Sequence, residues 1–391
     1  MRPPNKPRIL FVINSLTGGG AERVMTTLLT HSEDRRDVYD ISLAILDNED
    51  IAYPLPDWLK VHRLDCSFST FKSMVRLRSF VRSQGPDLTL SFLTRSNIAN
   101  WFAQLGRRQP WIISERTNTA SHLGKGMRAR VTAGLVRLAY PRATRIIAVS
   151  QAIADHLAQD FGVPADRLRA IDNPVDLAKV RLDACEEPAF RLDQSYVIAV
   201  GRLSLVKNFD VLIRAFVQSE IPGKLLILGA GPERSSLETV ARELGVADRV
   251  LMPGFASNPY ALLKRASAFV LSSRHEGFPN ALVEALALEV PVVATNCRSG
   301  PAEILLGHSA PDLTGVHVAG AGILVPVNDV GGLADGLRQV RENALRSKLI
   351  EAGTRRVQDY APEAVVNRYW SIIDEALQAG APGRRPETAP A

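Results

Sequence analysis

Cysteine is scarce in this chain, with only Cys66, Cys185 and Cys297 among 391 residues. They show neither metal-site spacing nor the even number of a disulfide framework, which excludes a disulfide-stabilised secreted domain and favours a reducing compartment. Long apolar runs are also missing: none reaches the roughly 18 residues of a membrane-spanning helix, and the first run, residues 9–13, ends at Asn14. Without a spanning helix or the apolar core of a secretory signal, we expect a cytoplasmic protein.

Acidic residues are rare in one stretch of the first half. Residues 1–180 contain 25 lysines and arginines against 17 aspartates and glutamates, a balance of +8, whereas the rest carries 22 against 24, or −2. Between Lys72 and Arg145, 14 basic residues face only Asp87 and Glu115. This stretch suits an anionic partner such as nucleic acid, phospholipid or a pyrophosphate-linked substrate. Nucleic acid is the least favoured of the three, because no nucleic-acid-binding motif is present.

The rest of the composition is that of a globular α/β protein. Apolar residues make up 46% of the chain, enough at this length for two domains with their own cores. Short apolar runs followed by helix-forming segments occur in both halves, which predicts parallel sheets. Residues 177–194, which contain Pro188 and no clear periodicity, are predicted to link the two domains. The predicted strands include residues 8–13, 40–46, 61–64, 87–92, 111–114, 145–149, 195–200, 225–228, 268–271, 291–295 and 322–325.

The most informative stretch is EGFPNALVE at residues 276–284, which follows the apolar run 268–271. The pattern becomes helical from Pro279, with Asn280 as a possible cap. A strand, a tight turn and a helix start form an anion-binding corner, because unpaired amides and the helix dipole face outward. Glu276 and Glu284 flank this corner, where they would bind sugar hydroxyls. The alternative is that Glu276 is a solvated loop residue and Glu284 an ordinary surface helix residue.

Two further loops carry chemistry suited to phosphate. The glycines at 18–20 stand between the first strand and a helix and allow close backbone approach, although Arg23 replaces the third glycine of a dinucleotide fingerprint. After the strand 195–200, Arg202 offers a forked donor and Lys207 a point charge, a pair that suits a diphosphate. The alternatives are a merely structural turn at the glycines and two solvated cations at the second loop.

Candidates for a second substrate lie after strands of the first half. Arg95 follows the strand 87–92, Glu115 and Arg116 follow the strand 111–114, and His122 comes shortly after. Ligands of open α/β sheets collect at such carboxyl-end loops, so these residues are predicted to face an acceptor. The alternatives are a surface histidine and a local ion pair between Glu115 and Arg116.

The segment 127–140 predicts an amphipathic helix. Met127, Val131, Leu135 and Leu138 share one face, and arginines flank it at 128, 130 and 137. The helix either docks on the fold through its apolar stripe or lies on anionic lipid, where each basic residue contributes on the order of 1 kcal/mol.

Together these motifs resemble glycosyltransferase family 4, whose members are retaining GT-B enzymes with nucleotide-sugar donors. SERTN at 114–118 is similar to the SERN of a sub-group that acts on polyprenyl-diphosphate-linked (undecaprenyl) or surface-polysaccharide acceptors. Many members carry a histidine just after this strand, where Glu115 and Arg116 stand here, so the catalytic contact of the first domain stays unassigned. The resemblance is carried by EGFPNALVE, GRLSLVKN at 201–208, GGAER at 19–23, GAGP at 229–232, SGPAEI at 299–304 and NPVD at 173–176.

This resemblance implies a GT-B fold, with two Rossmann-like parallel-sheet domains facing a central cleft. Residues 1–178 would form the N-terminal acceptor-side domain and residues 192–360 the C-terminal donor domain. A C-terminal helix at about 361–379 would cross back to the N-terminal domain. Residues 380–391, rich in proline, alanine and arginine, are predicted to be disordered.

The implied reaction is retaining transfer of a hexose or N-acetylhexosamine from a nucleotide diphosphate sugar, with UDP favoured over GDP, to a hydroxyl of a membrane lipid-linked saccharide in cell-envelope polysaccharide synthesis. Arg202, Lys207 and Glu276 would be catalytic: the two cations stabilise the leaving diphosphate without a metal ion or other cofactor, and Glu276 holds the donor sugar. The basic first domain would hold the protein on the inner face of the plasma membrane. The residues assigned to the donor are Gly19, Gly20, Arg202, Lys207, Gly254, Glu276, Gly277, Phe278, Pro279, Asn280 and Glu284.

Other classes of protein fit the sequence less well. A GT-B epimerase would need additional acid/base residues and a phosphorylase a cofactor lysine, and neither has a clear motif here. A dinucleotide oxidoreductase would need an intact glycine fingerprint. A non-catalytic membrane-binding module would explain the basic stretch but not the set Arg202, Lys207, Glu276 and Glu284.

Overall fold

Two sheets, each with its own core, organise the chain. The computed structural model describes residues 6–17, 19–116, 126–310 and 313–380. The chain divides into a first unit, residues 1–174 together with 362–391, and a second unit, residues 175–361. The tail predicted to be disordered lies outside the described residues from 381 onward.

The first unit is built on a parallel sheet with the strand order β3-β2-β1-β4-β5-β6-β7 within its described residues. The order changes direction between β1 and β4, which makes their carboxyl ends a switch point where ligands of such sheets bind. The strands are β1 (Arg8–Ile13), β2 (Asp40–Ile45), β3 (Lys60–Arg63), β4 (Leu88–Phe92), β5 (Trp111–Glu115), β6 (Arg145–Ala148) and β7 (Leu168–Ala170). The helices between them are α1 (Gly20–Thr30), α2 (Thr70–Gln84), α3 (Thr94–Gln104), α4 (Met127–Ala139) and α5 (Gln151–Phe161).

The second unit repeats this plan with the order β10-β9-β8-β11-β12-β14-β13 among its described residues; β13 alone pairs antiparallel. Its switch point lies between β8 and β11. The strands are β8 (Tyr196–Val200), β9 (Lys224–Leu228), β10 (Val250–Gly254), β11 (Ala268–Leu271), β12 (Val292–Thr295), β13 (His317–Ala319) and β14 (Gly322–Val325). The helices are α6 (Leu177–Asp183), α7 (Phe209–Ser219), α8 (Arg234–Glu243), α9 (Tyr260–Leu263), α10 (Asn280–Ala287), α11 (Pro301–Leu306), α12 (Val330–Gln339) and α13 (Asn343–Arg356).

The last helix, α14 (Pro362–Gly380), belongs to the first unit although it follows the second in the chain. Alternate residues of β1 point to opposite faces, and the face with Phe11 packs in one core with α1 and α14. Trp370 is fully buried there, meets Phe11 edge-on and donates from Nε1 to the Ser32 hydroxyl at 2.8 Å. Two parallel-dominated sheets and a final helix that returns to the first unit confirm the predicted fold class.

Two sequence expectations about these elements were wrong. The second unit begins at Val175 rather than near residue 192, because α6 occupies part of the supposed linker, where Asp176 caps it by accepting from the Lys179 amide at 2.9 Å. At seven residues, α6 is too short to show periodicity.

Residues 93–97, which were expected in a loop, form the N-cap and first turn of α3. The buried face of α3 mixes apolar residues with amides: Asn97 donates to the Ser114 carbonyl at 3.1 Å and Asn100 to the Ser91 hydroxyl at 3.1 Å. Buried amides between the apolar residues weaken the apolar period of the helix, which explains the missed element.

One of the two alternatives for α4, docking on the fold through its apolar stripe, is also wrong. Met127, Val131 and Leu138 on that stripe are 73%, 56% and 43% exposed, whereas Val136 and Ala139 are buried. The helix therefore packs on the fold mainly through a different face and leaves three of the four residues of the predicted stripe exposed, while Leu135 is half-buried.

Candidate active site

The candidate site of the second unit lies at the carboxyl edge of its sheet. Because its core strands are parallel, the loops after β8, β9, β11 and β12 leave from this edge. Arg202 and Lys207 lie in the loop after β8, and Glu276 lies in the loop after β11, on the two sides of the switch point. Sequence reasoning proposed all three residues, and the sheet topology brings their loops together.

Lys207 and Glu276 form an ion pair at this switch point. The Lys207 ammonium lies 2.6 Å from Glu276 Oε1, and the side chains are 23% and 10% exposed. The Ser273 hydroxyl donates to the same Glu276 oxygen at 2.5 Å, and Ser272 Oγ donates to the Lys207 carbonyl at 2.8 Å. Glu276 is thus oriented by two partners rather than solvated, so the alternative of a free loop carboxylate is wrong.

The environment of Arg202 differs from that of Lys207. It is exposed, and its guanidinium forms no hydrogen bond or ion pair with any residue that the structure describes. A cation at the switch point with no protein partner among the described residues is available to an anionic ligand, whereas Lys207 shares its charge with Glu276.

The glycines of the GAGP motif shape the loop that carries Arg202. A β-carbon at Gly229 would lie 1.9 Å from the Gly201 carbonyl oxygen, and one at Gly231 would lie 2.2 Å from the Leu203 carbonyl oxygen. Any side chain at these positions would push the Arg202 loop away. Sequence reasoning noticed this motif as family-like but did not find its role, because the role depends on a contact between two loops distant in the chain.

The SGPAEI turn supports the other side of the switch point in the same way. Gly300 has a φ of 95°, and a β-carbon there would lie 2.5 Å from Pro279 Cδ. The Ser299 hydroxyl donates to the Glu276 carbonyl. Nearby, burial and the charge of Glu276 raise the pKa of the Cys297 thiol to about 12, so this cysteine is a neutral packing residue.

The helix start at the corner differs in one detail from the expectation. Pro279 is the N-cap residue and Asn280 the first helical residue, so Asn280 is not the cap. Gly277 is half-buried, and Phe278, 8% exposed, packs edge-on against Tyr360 with the ring centroids 5.4 Å apart. The corner is therefore held by packing around Phe278 and Pro279 rather than by a side-chain cap.

Glu284 lies inside the unit rather than on its surface. It is 5% exposed, and Oε1 accepts from the Tyr260 hydroxyl at 3.2 Å. This burial contradicts the alternative of an ordinary surface helix residue, since a buried carboxylate is kept only with hydrogen-bonding partners. Tyr260, at the start of α9, is a partner that sequence reasoning missed.

Gly254 ends β10 at the same edge of the sheet. It has a φ of 103°, and its carbonyl accepts from the Gly229 amide at 2.8 Å. The next residue, Phe255, is 82% exposed, which makes it an aromatic surface beside the loops of the switch point. Sequence reasoning singled out Gly254 and overlooked Phe255.

In the first unit, the glycine loop after β1 leads into α1. The Gly19 amide donates to Glu22 Oε2 at 2.7 Å, and the Ser15 hydroxyl donates to Oε1 at 3.2 Å. The Gly19 amide, which is predicted to bind an anion, thus already donates to the Glu22 carboxylate in this structure. Gly20 begins the helix, so its amide has no partner within the helix.

The candidate acceptor residues of the first unit are largely engaged inside it. Arg95 forms an ion pair with Asp47, which is 1% exposed. Glu115 is fully buried and accepts from the Tyr140 hydroxyl at 2.5 Å. Burial and the charge of Glu115 raise the pKa of Tyr140 well above its ordinary value. His122 lies outside the described residues.

Arg116 is enclosed as well, at 6% exposure. Its guanidinium donates to the Tyr369 hydroxyl and to Asn173 Oδ1, and it lies over the Phe92 ring at 5.2 Å. Among the described residues, Arg116 meets Glu115 through its backbone amide and not through an ion pair. Its position ties α14 to β5.

The described part of the chain contains no cluster of three or more His, Cys, Asp or Glu side chains suited to a metal ion. None of its helices combines the length and the apolar character needed to cross a bilayer.

Comparison with known proteins identifies the family. The models of glycosyl transferases group 1 and glycosyltransferase family 4 match residues 183–356 and 18–179. The chain is 30% identical over 343 residues to the N-acetylgalactosamine-N,N'-diacetylbacillosaminyl-diphospho-undecaprenol 4-alpha-N-acetylgalactosaminyltransferase of Campylobacter jejuni, covering 85% of this chain and 89% of that enzyme. It is 25% identical to a second Campylobacter jejuni enzyme, a GalNAc-alpha-(1->4)-GalNAc-alpha-(1->3)-diNAcBac-PP-undecaprenol alpha-1,4-N-acetyl-D-galactosaminyltransferase, over 95% of this chain and 99% of the relative.

Solved structures agree on the fold. The lipopolysaccharide outer core galactosyltransferase WaaB matches with a TM-score of 0.69 at 18% identity, over 94% of this chain and 99% of that one. Anabaena HepE in complex with UDP matches with a TM-score of 0.72 at 18% identity, over 94% of this chain and all of that one. The chain is therefore a glycosyltransferase of family 4 with the GT-B fold.

Proposed function

We propose that this glycosyltransferase moves a hexose or N-acetylhexosamine from a UDP-sugar to a hydroxyl of a lipid-linked saccharide, with retention at the anomeric carbon. The two Campylobacter jejuni relatives, whose names specify diphospho-undecaprenol-linked and PP-undecaprenol-linked substrates, support the acceptor class. HepE, which was crystallised with UDP, supports the nucleotide. The observation that carries the proposal is the grouping of Arg202, Lys207 and Glu276 at the β8/β11 switch point.

The two cations have complementary parts in the reaction. Breaking the bond between the sugar and the diphosphate builds negative charge on the leaving group, and preorganised donors stabilise that charge. Arg202, exposed and without a described protein partner, binds the diphosphate first. Lys207 then divides its charge between the diphosphate and Glu276, which keeps the Glu276 carboxylate oriented for a hydroxyl of the donor sugar. With two cations in place, we propose that transfer needs no metal ion or other cofactor.

The remaining donor contacts follow from the same edge of the sheet. Glu284, buried and oriented by Tyr260, would bind the ribose hydroxyls. The amides of residues 277–280 would assist at the phosphates, because they lie at the start of α10, where the helix dipole favours an anion. The backbone at Gly254 would meet the base. In the first unit, the Gly20 amide is the remaining candidate of the glycine loop.

The acceptor would approach the first unit, where Arg95, Glu115, Arg116 and His122 stay candidates by sequence. The burial of Glu115 and Arg116 favours a role in positioning this part of the unit over direct contact with the acceptor. We further propose that the protein works in the cytoplasm at the inner face of the plasma membrane, held by the basic stretch between Lys72 and Arg145.

The experiment is incubation of the purified chain with UDP-, GDP- and ADP-sugars and polyprenyl-diphosphate-linked saccharides, with products identified by mass spectrometry and the anomeric configuration by NMR. We expect one sugar added from a UDP donor, unchanged by EDTA. Exclusive use of GDP-sugars, an inverted linkage, loss of activity in EDTA or an epimerised free nucleotide sugar would each contradict the corresponding part of the proposal.

A further inference from the structure

One exposed apolar surface in the first unit has no part in the site described above. Phe68 is 67% exposed, Phe71 74% and Val75 45%, at the start of α2 and in the loop before it. Together with Arg78 and Arg82 one and two turns later, these residues are called the α2 patch. Clustered exposed phenylalanines on a water-soluble surface mark a place of interaction.

The patch is a line along one face of α2. Residues 71, 75, 78 and 82 are spaced three and four apart, so they lie on one stripe of the helix. The stripe is apolar at its beginning and basic at its end, over roughly 16 Å of helix. A shallow cavity of about 410 Å³ opens beside its basic end, lined by Val75, Arg78, Ser79, Arg82 and Phe102. The surface thus offers an apolar end and a cationic end to a ligand with the same two properties.

The backbone before α2 turns Phe68 outward at a conformational cost. Phe68 has a φ of 57°, in the left-handed region that aromatic residues rarely adopt. Its amide donates to Asp47 Oδ1 at 2.9 Å, and Asp47 also holds Arg95. The exposed ring makes no compensating contribution to the core. Backbone strain of this kind is found where a side chain is presented for function.

The charge around the patch is positive and poorly balanced. Arg78 Nη1 donates to the carbonyls of Phe102 and Leu105, at 2.7 and 2.9 Å. Arg82 is exposed and forms no hydrogen bond or ion pair with any described residue. Burial lowers the pKa of Arg107, and the neighbouring charge of Arg82 lowers it further. An anionic partner would relieve this repulsion.

The α2 patch lies near the carboxyl edge of the sheet of the first unit. The helix α2 begins where β3 ends, and α3 with Arg95 begins where β4 ends, so both starts lie at the carboxyl edge of the same parallel sheet. The phenylalanines are therefore on the edge of the first unit that carries its acceptor candidates.

We infer that the α2 patch docks the protein on an anionic lipid bilayer, with Phe68 and Phe71 inserted among the headgroups and Arg82 at the lipid phosphates. The apolar and basic halves match the two layers of a membrane interface, where an amphipathic helix lies with its apolar side at the acyl boundary. The inference deepens the proposed function, since a lipid-linked acceptor resides in such a bilayer, and it places the anchor on α2 rather than on α4.

The test is flotation of the full chain with vesicles of phosphatidylcholine alone or mixed with phosphatidylglycerol. We expect binding to the mixed vesicles only, and a fall of about tenfold or more in partitioning for Phe71→Ser, since each inserted ring removes a large apolar area from water. Phe68→Asn separates binding from folding: asparagine tolerates the left-handed backbone, so the melting temperature should hold or rise while vesicle binding falls. Arg82→Gln should weaken binding and reduce its sensitivity to salt.

The matched control is Met127→Ser with Val131→Ser, which removes the exposed stripe of α4. Four results would each overturn the inference. Phe71→Ser could bind vesicles fully, or only the α4 control could lose binding. The protein could bind neutral vesicles equally well, or it could form a dimer in solution that Phe71→Ser dissociates. Transfer to a water-soluble, short-chain acceptor should be unchanged in Phe71→Ser. A protein that binds vesicles but transfers no sugar would refute the proposed function and leave the α2 anchor standing.

Discussion

The carboxyl edges of the two sheets carry the same kinds of residue in different states. In the second unit, Arg202 is exposed and Lys207 and Glu276 meet at a partly open switch point. In the first unit, Arg116 and Glu115 are enclosed by the fold. A charged residue after a parallel strand is therefore not by itself a ligand contact. The two cases differ in whether the fold supplies hydrogen-bonding partners that occupy the polar groups of the side chain.

The largest effect is expected from replacing Arg202, the exposed cation of the second unit. Arg202→Ala should lower kcat/KM about a hundredfold, because one preorganised donor to the leaving group is lost, while the melting temperature stays unchanged because Arg202 has no described protein partner. Steady-state kinetics with a UDP-sugar and thermal unfolding measure the two. Arg214→Ala, an exposed arginine of α7, is the control and should leave both unchanged. Full activity in Arg202→Ala would remove the diphosphate role.

Replacing the buried Arg116 of the first unit should instead lower stability. Arg116→Ala should lower the free energy of unfolding by about 2–4 kcal/mol, because it leaves Tyr369 and Asn173 without their buried partner. Urea unfolding measures this, with the exposed Arg108→Ala as the control. If Arg116→Ala kept its stability and lost transfer, Arg116 would be an acceptor contact and the comparison would fail.

A smaller effect is expected from the support of the Arg202 loop. Gly229→Ala should lower kcat about tenfold or more, because its methyl group meets the Gly201 carbonyl and displaces the loop. The control is Gly245→Ala, which also has a positive φ, of 70°, but meets no atom within 4 Å. It should cost some stability and leave kcat unchanged. Equal kinetics in the two variants would show that the loop tolerates the shift.

The smallest effect is expected at Tyr260. Tyr260→Phe removes one hydrogen bond to Glu284, worth about 1 kcal/mol, which should raise the donor KM about fivefold with little change in kcat. Tyr196→Phe is the control, since its hydroxyl donates to the Leu262 carbonyl at 2.6 Å inside the core. It should lower stability and leave KM unchanged. A change in kcat alone for Tyr260→Phe would argue against a ground-state role at the ribose.

The sequence predicted the elements with strong local signals. The predicted strands 8–13 and 268–271 coincide with β1 and β11, because an uninterrupted apolar run is visible within a few residues. The sequence missed α3, whose buried face is partly polar, and α6, which is only seven residues long. For α4 the sequence left open whether the apolar stripe is buried, since exposure depends on neighbours far away in the chain.

The site divides in the same way. By itself the sequence determined that four residues carry chemistry suited to a diphosphate and a sugar, because Arg202, Lys207, Glu276 and Glu284 stand in motifs whose chemistry is local. Tertiary structure alone decided that Lys207 pairs with Glu276, that Glu284 rests on Tyr260, and that Phe68 and Phe71 face outward. The physical reason is that pairing and burial are set by atoms from different strands, which only the folded sheets bring within a few ångströms.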